Sequence, residues 1–300
     1  MQQKTAIIIA GPTAVGKTAL SVRLAQVLGT EIISADSRQC FRELDIGVAK
    51  PDQAEQAAVP HHFIDSHSIF DEMNAAIFER YALGKANEIF SRKNHLIVSG
   101  GTGLYLRAFM EGFDPMPEVP RTFRDEVDAL YATGGIPALR DALVKEDPRF
   151  ASEGEMLNPQ RMMRALAFRR ATGGSIRDHQ KKARQIRPFR ILRIGLELPR
   201  EELYARVNDR VDLMMSRGLL EEVRQLMPYR HLNALQTVGY RELFDHLDGN
   251  CTVGQAIESV RQHTRHFAKR QLTWFRADPD MKWFGPSDDQ GILSYLRDSS

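Results

Sequence analysis

Gly11-Pro12-Thr13-Ala14-Val15-Gly16-Lys17-Thr18 fits G-x-x-x-x-G-K-[ST], the phosphate-binding P-loop. An apolar run, Ala6-Ile7-Ile8-Ile9-Ala10, precedes it, and a helix-forming run from Ala19 to Ala25 follows. Strand, glycine loop and helix in that order give the pattern its mechanism. Glycines let the backbone wrap an anion, so that N–H groups point inward. The helix N-terminus adds the positive end of its dipole. Lys17 supplies a point charge, and Thr18 is the candidate ligand for Mg²⁺. The bland alternative is a strand-turn-helix whose glycines serve packing alone. The motif calls for a diphosphate or polyphosphate but names neither the ligand nor its fate.

Downstream, apolar runs alternate with helical patterns, as in an α/β protein with a parallel sheet. Gly29 reads as a helix C-cap. Glu31 to Ala35 reads as a second strand, running into Asp36-Ser37-Arg38-Gln39. Open α/β sheets place their chemistry at the carboxyl ends of strands. Asp36 is therefore the candidate general base, with a helix N-cap as its plain alternative. His95 to Ser99 reads as a third strand, ending in Gly100-Gly101-Thr102-Gly103. Thr102 there is placed to bond a phosphate or a base, or simply to cap. An ATPase would end this strand in an aspartate for its magnesium shell. Ser-Gly-Gly stands there instead, and no N-K-x-D guanine motif occurs, which argues against ATP or GTP hydrolysis. His61-His62 lacks a third ligand at i+3 or i+4, so a metal centre is not expected. Lys50 has a phosphate contact as its functional reading and solvation as its plain one.

From Pro115 to Pro188 the strand pattern stops. Helices are expected over Arg121–Tyr131, Pro137–Lys145 and Pro159–Ala171, the last with Asn158 as N-cap. The expected organisation is a core of residues 1–115 and 189–300 with a helical insertion at 116–188. Arg161, Arg164, Arg169, Arg170, Arg177, Lys181, Lys182, Arg184, Arg187, Arg190 and Arg193 face only Asp178 in sequence. That is either a polyanion footprint or a solvated basic face. The net charge of +2 across 300 residues makes no global case for nucleic acid. A strand at Ile191–Leu198, a helix from Arg200 carrying Arg206 and Arg210, and a long helix opened by a Thr252–Gln255 capping box follow. Its end, Lys269-Arg270-Gln271-Leu272-Thr273-Trp274-Phe275-Arg276, interleaves cations with aromatics, which suits RNA. A core Trp-Phe pair with snorkelling cations is the alternative. Met281–Phe284 reads as an edge strand. Two distant cysteines, Cys40 and Cys251, make no disulfide framework, and no apolar run is long enough for a membrane span. A cytoplasmic monomer is expected.

Eight segments in order resemble the tRNA dimethylallyltransferase family: the P-loop, Ser-Ala-Asp-Ser-Arg-Gln, Asp-Ile-Gly-Val-Ala-Lys-Pro, Pro-His-His-Phe-Ile-Asp, Gly-Gly-Thr-Gly-Leu-Tyr, Asn-Pro-Gln-Arg, Val-Gly-Tyr-Arg-Glu and Lys-Arg-Gln-Leu-Thr-Trp-Phe-Arg. They span about residues 6 to 285. The resemblance implies a P-loop-NTPase-like core with an inserted all-helical domain. It implies transfer of a dimethylallyl group from dimethylallyl diphosphate to N6 of the adenosine 3′ of the anticodon, position 37, in tRNAs reading UNN codons. On that basis Gly11 to Thr18 hold the diphosphate, Arg210 and Lys17 clamp it with Mg²⁺ on Thr18, and Asp36 takes the amine proton. The segments matching tRNA contacts are Asp36, Ser37, Arg38 and Gln39; Thr102; Arg124; Gln160, Arg161, Met162, Met163 and Arg164; Thr237, Val238, Gly239, Tyr240, Arg241 and Glu242; and Lys269 to Arg276. Val48 stands where the family usually has threonine. The competing readings are an adenylate isopentenyltransferase, a P-loop small-molecule kinase, and a non-catalytic RNA-binding protein with a dead P-loop.

Overall fold

The computed structural model describes residues 3–180 and 184–299. Lys181 and Lys182 of the basic run lie outside the described residues. The described chain forms two compact units, one of residues 1–111 with 187–300 and one of residues 112–186.

The first unit is built on a six-stranded sheet in the order β3-β2-β4-β1-β5-β6. Its strands are β1 (Thr5–Ala10), β2 (Ile32–Ser34), β3 (His61–His62), β4 (His95–Gly100), β5 (Arg190–Leu196) and β6 (Lys282–Phe284). Every pairing is parallel. β1 reads as an unbroken apolar run because it lies inside the sheet, with β4 and β5 as neighbours. All six of its residues are buried. The helices of this unit are α1 (Lys17–Leu28), α2 (Gln53–Ala58), α3 (Ala75–Phe90), α4 (Gly103–Glu111), then α9 (Arg200–Ser216), α10 (Leu219–Leu226), α11 (Tyr240–Leu247), α12 (Val253–Arg276) and α13 (Asp289–Asp298). Ile7, Ile9, Leu24, Ile97 and Ile194 share one buried cluster with Leu203 of α9 and Ala268 of α12. The cluster thus joins sheet to helices and fixes the strand ends relative to α9 and α12.

The caps follow the residues that signal them. Gly29 ends α1 in the left-handed region at φ 59°. Asn74 accepts from the N–H groups of Ala76 and Ile77 to start α3. Thr252 and Gln255 form the expected capping box of α12. The strand β3 and the helix α2 carry too few residues for a pattern to announce them.

The second unit is helical: α5 (Arg121–Glu146), α6 (Pro148–Glu153), α7 (Pro159–Thr172) and α8 (Ile176–His179). α5 is two helices meeting at Gly135, whose φ of 61° and ψ of −154° are not helical. Val127, Leu139, Phe150, Met162, Leu166 and Ile176 form its core.

The basic run is not a single face. Arg187 donates to the Ala108 and Phe109 carbonyls and to Glu79 at 2.6 Å, with only 7% of its side chain exposed. Arg193 donates through Nη1 to both carboxylate oxygens of Asp278, at 2.7 and 2.9 Å, and its side chain is 12% exposed. Arg170 pairs with Glu146, Arg177 with Glu153 and Arg161 with Glu155. The acids that answer these cations come from outside the sequence window, so the linear excess overstated the field.

Candidate active site

Three strand ends meet. β1 leads into the P-loop, β2 into Asp36–Gln39, and β4 into Gly101-Thr102. The Ala35 N–H donates to the Ser99 carbonyl at 2.7 Å, and the Thr102 N–H donates to the Ala35 carbonyl at 3.2 Å. The Ser37 N–H donates to Thr102 Oγ1 at 3.0 Å. Gly100 permits this closeness: a Cβ there would lie 2.2 Å from the Ala35 carbonyl oxygen. Gly100, the last residue of β4, therefore admits another backbone, while Gly101 after it admits the Gln271 side chain. A cavity of about 450 Å³ opens at this edge, its wall including Thr13, Lys17, Thr18, Asp36, Gln39 and Arg210.

The P-loop bends through Ala14 at φ 65° and Gly16 at φ 108°. A non-glycine residue in that region is strained by roughly 1–2 kcal/mol, the kind of strain kept at ligand sites. Gly16 is the N-cap of α1 and offers no side chain to it. The first-turn N–H groups have no intrahelical acceptor, which suits an anion. In the loop before them the Thr13 N–H donates to Gln271 Oε1 at 2.8 Å and the Val15 N–H to the Pro12 carbonyl at 3.4 Å. Lys17 Nζ donates to the Gly11 and Pro12 carbonyls at 3.0 and 2.7 Å. Burial pushes its ammonium down to about 7; Arg210 adds to the fall and Asp36 opposes it.

Arg210 enters from α9. Among the described residues its guanidinium makes only long contacts, 3.4 Å to Thr13 Oγ1 and 3.5 Å to the Ala49 carbonyl. Burial lowers its pKa, and Asp36 counteracts that. The site thus holds two cations close enough to repel each other, an arrangement that an anion relieves. Asp36 Oδ1 accepts from the Arg38 N–H at 2.9 Å and the Gln39 N–H at 3.3 Å, so it is fixed by the turn it also shapes.

Where an acid would end β4, Ser99 accepts from the Ser21 hydroxyl at 2.7 Å. Among the described residues no group of three or more His, Cys, Asp or Glu is placed to hold a metal. A cation here would rest on phosphate oxygens and the Thr18 hydroxyl. That fits Mg²⁺, which keeps its waters and takes one or two protein ligands beside substrate phosphates. Lys50 is committed elsewhere, to the Phe41 carbonyl at 2.8 Å and Asp65 at 2.5 Å. His62 pairs with Glu31 at 2.7 Å, and His61 Nδ1 lies 2.8 Å from the Val59 carbonyl.

Other residues of interest divide into exposed and structural. Lys269, Arg270, Thr273, Trp274 and Arg276 are exposed on α12, and Arg270 stacks over Phe267 at 5.8 Å. Gln160, Arg161 and Arg164 are exposed on α7, and Arg124 on α5. Thr237 and Val238 are half-buried and Arg241 exposed. In contrast, Met162, Gly239, Tyr240, Glu242, Gln271 and Phe275 are buried, and Met163 and Leu272 are half-buried. Gln271 bridges the Thr13 N–H and, through Nε2, the Gly101 carbonyl at 2.9 Å. Glu242 accepts from the Gly239 N–H at 2.7 Å. Arg38 reaches the Asn233 carbonyl at 2.9 Å. Sequence reading missed Glu55, Asp209, Arg206 and Phe267 on the cavity wall. Arg206 alone carried a signal, one turn before Arg210 on the same helix.

The IPP transferase family model matches residues 39–278. That span excludes the P-loop and Asp36, which therefore weigh independently. The chain is 43% identical to the tRNA dimethylallyltransferase of Cytophaga hutchinsonii over 98% of this chain and 96% of that protein. It is 45% identical to that of Christiangramia forsetii over 97% and 96%. The crystal structure of the full-length tRNA isopentenylpyrophosphate transferase from Bacillus halodurans covers 99% of this chain and 95% of its own, with TM-score 0.72 and 36% identity. A eukaryotic dimethylallyltransferase acting on tRNA superposes with TM-score 0.78 and 28% identity, over 95% of this chain and 74% of its own. Among the described residues no helix is long and apolar enough to cross a membrane.

Proposed function

The chain belongs to the IPP transferase family, and on that premise we propose that it is a tRNA dimethylallyltransferase that forms N6-dimethylallyladenosine at position 37. The observation that carries the reading is Lys17 and Arg210 standing with Asp36 on one cavity wall, at a sheet edge where β4 closes in Ser99-Gly100 with no acid. The P-loop then holds a leaving group, not a phosphoryl group in transit.

The donor is dimethylallyl diphosphate. The adenosine N6 lone pair forms a bond to the allylic carbon, the carbon–oxygen bond to diphosphate breaks, and N6 sheds one proton. Charge grows on the diphosphate as that bond lengthens. Lys17 and Arg210 line the cavity beside the loop, so cations stand close to where that charge grows, and Lys17 exchanges its bonds to the Gly11 and Pro12 carbonyls for the diphosphate. Asp36 is the general base for the N6 proton. Thr18 would hold Mg²⁺, which would supply neutralisation of the phosphate charge. An exocyclic amine inside a stacked loop is out of reach, so the base leaves its stack. The anticodon stem-loop is bound by exposed groups: Arg124, Gln160, Arg161 and Arg164 of the helical unit, and Lys269, Arg270, Thr273, Trp274 and Arg276 of α12. The tRNAs served are those reading UNN codons.

The test is label transfer. The protein is incubated with Mg²⁺, radiolabelled dimethylallyl diphosphate and unmodified tRNA, with AMP and ATP as parallel acceptors. Label in tRNA alone supports the reading. Label in AMP, or in nothing, overturns it.

A further inference from the structure

Glu222 of α10 has four donors and one carboxylate. Oε2 accepts from the N–H groups of Asp45 and Ile46 at 3.3 and 2.7 Å. Oε1 accepts from the Gly47 N–H at 3.1 Å and from the Tyr240 hydroxyl at 2.5 Å. Hydrogen bonds to an ionised acceptor are the strong ones, and a row of backbone N–H groups fixes three residues at once. Tyr240 is fully buried beside Gly47. A Cβ at Gly47 would lie 2.6 Å from the tyrosine ring, so the ring requires glycine there. Burial, then the Glu222 charge, raises the phenol's pKa well above its ordinary value, which keeps it a donor.

The clamped segment leads into the cavity. Val48 and Pro51 line it. Ala49 sits at φ 48°, a left-handed conformation that a non-glycine residue keeps only when its surroundings impose it. The carbonyls of Val48 and Ala49 accept from Gln39 Nε2 at 3.3 and 2.9 Å. The Gln39 N–H in turn donates to Asp36 Oδ1 at 3.3 Å. Arg210 reaches the same Ala49 carbonyl. Hydrogen bonds joined by the short backbone stretches between them therefore connect Glu222 to the general base, and the long contact at Ala49 connects it to the diphosphate arginine.

We propose that Glu222, with Tyr240 beneath it, is a positioning residue for the transfer reaction: it sets the 45–49 segment, and through the Val48 and Ala49 carbonyls it sets Gln39, Asp36 and Arg210. The proposal rests on the transferase reading above. Glu222 touches no reacting atom. Its loss shifts the donor site without removing any group that binds tRNA.

The experiment is Glu222→Gln in the full chain, read by steady-state kinetics and by calorimetry with inorganic pyrophosphate. The amide keeps the volume but faces donors with a donor. The expected result is a fall in kcat/KM for dimethylallyl diphosphate on the order of tenfold to a hundredfold, from misplacement alone. Pyrophosphate affinity falls with it, while KM for tRNA stays within about twofold. Gly47→Ala, which leaves the carboxylate intact but drives the segment off the Tyr240 ring, gives the same split. Tyr240→Phe, which removes one donor of the four, gives a smaller fall of the same kind. A folded Glu222→Gln with wild-type constants overturns the proposal, as does a change confined to the tRNA KM. If Glu222→Gln does not fold, Tyr240→Phe decides on the same readouts. If the wild type itself transfers nothing to tRNA, the functional reading fails first, and pyrophosphate binding still tests the clamp.

Discussion

Lys17 makes diphosphate binding a proton-coupled event. In the free site its ammonium is held down to about 7, first by burial, then by Arg210. A bound diphosphate brings negative charge against it and raises that pKa. The sign follows. Below pH 7 the free lysine is already charged and affinity is highest. As pH rises through 7 the free site loses its proton and must regain it on binding. Affinity then falls by about tenfold, or roughly 1.4 kcal/mol, per pH unit until the bound-state pKa is reached. With Lys17 kept charged in the complex, the loss between pH 7 and 9 is roughly fifty-fold, and at pH 8 about 0.9 proton enters per diphosphate. Calorimetry with pyrophosphate at pH 8, in two buffers of different ionisation enthalpy, measures the net proton exchange, to which the diphosphate's own titration contributes in wild type and variant alike. Lys17→Met removes the titrating lysine, so wild type is expected to take up about 0.9 proton more than the variant, whose affinity also loses the pH slope attributed to Lys17. Equal proton exchange in the two proteins, or an unchanged slope in Lys17→Met, refutes the reasoning. For folding the same lysine acts with opposite sign. The unfolded chain keeps the proton up to about 10.5, so stability rises with pH between the two values.

Asp36→Ala is expected to lower kcat by about a hundredfold to ten-thousandfold, with pyrophosphate affinity largely kept; single-turnover rates beside calorimetry check both halves. Gln271→Leu leaves the Thr13 N–H and the Gly101 carbonyl without their partner and is expected to cost about 1–3 kcal/mol in urea unfolding. Arg187→Met breaks the buried pair with Glu79 and is expected to cost about 3–5 kcal/mol in the same measurement, since the carboxylate is left behind uncompensated. An unfolding midpoint within error of wild type for either variant counts against its assigned role.

Local signals recovered much of the architecture, and the reason is physical. β1 is apolar throughout because it is covered on both sides, Gly29 and Thr252 cap because of their own chemistry, and the P-loop spacing is set by its ligand. The edge strand β6 was legible from four residues because its neighbour β5 had been found. What stayed hidden depends on partners far away in sequence. Gln271 sits in a segment that reads as cation and aromatic alternation, yet its amide is spent on the P-loop 258 residues earlier. Tyr240 and Glu242 sit in a polar turn motif, yet both are buried. Arg187 and Arg193 counted as basic surface until Glu79 and Asp278 were seen beside them. A sequence window records charge, and only the fold records who answers it.

The bond from the Thr13 N–H to Gln271 has a consequence for how the protein is made. A ribosome delivers residues 1–111 first, and with them β1, α1, β2 and β4. The amide that occupies one of the loop's N–H groups, and braces it against Gly101, belongs to α12. Until about nine-tenths of the chain has emerged, the nascent loop lacks its brace. An early-folding N-terminal portion thus carries an unfinished anion cradle, and the finished one marks the arrival of the chain's last long helix.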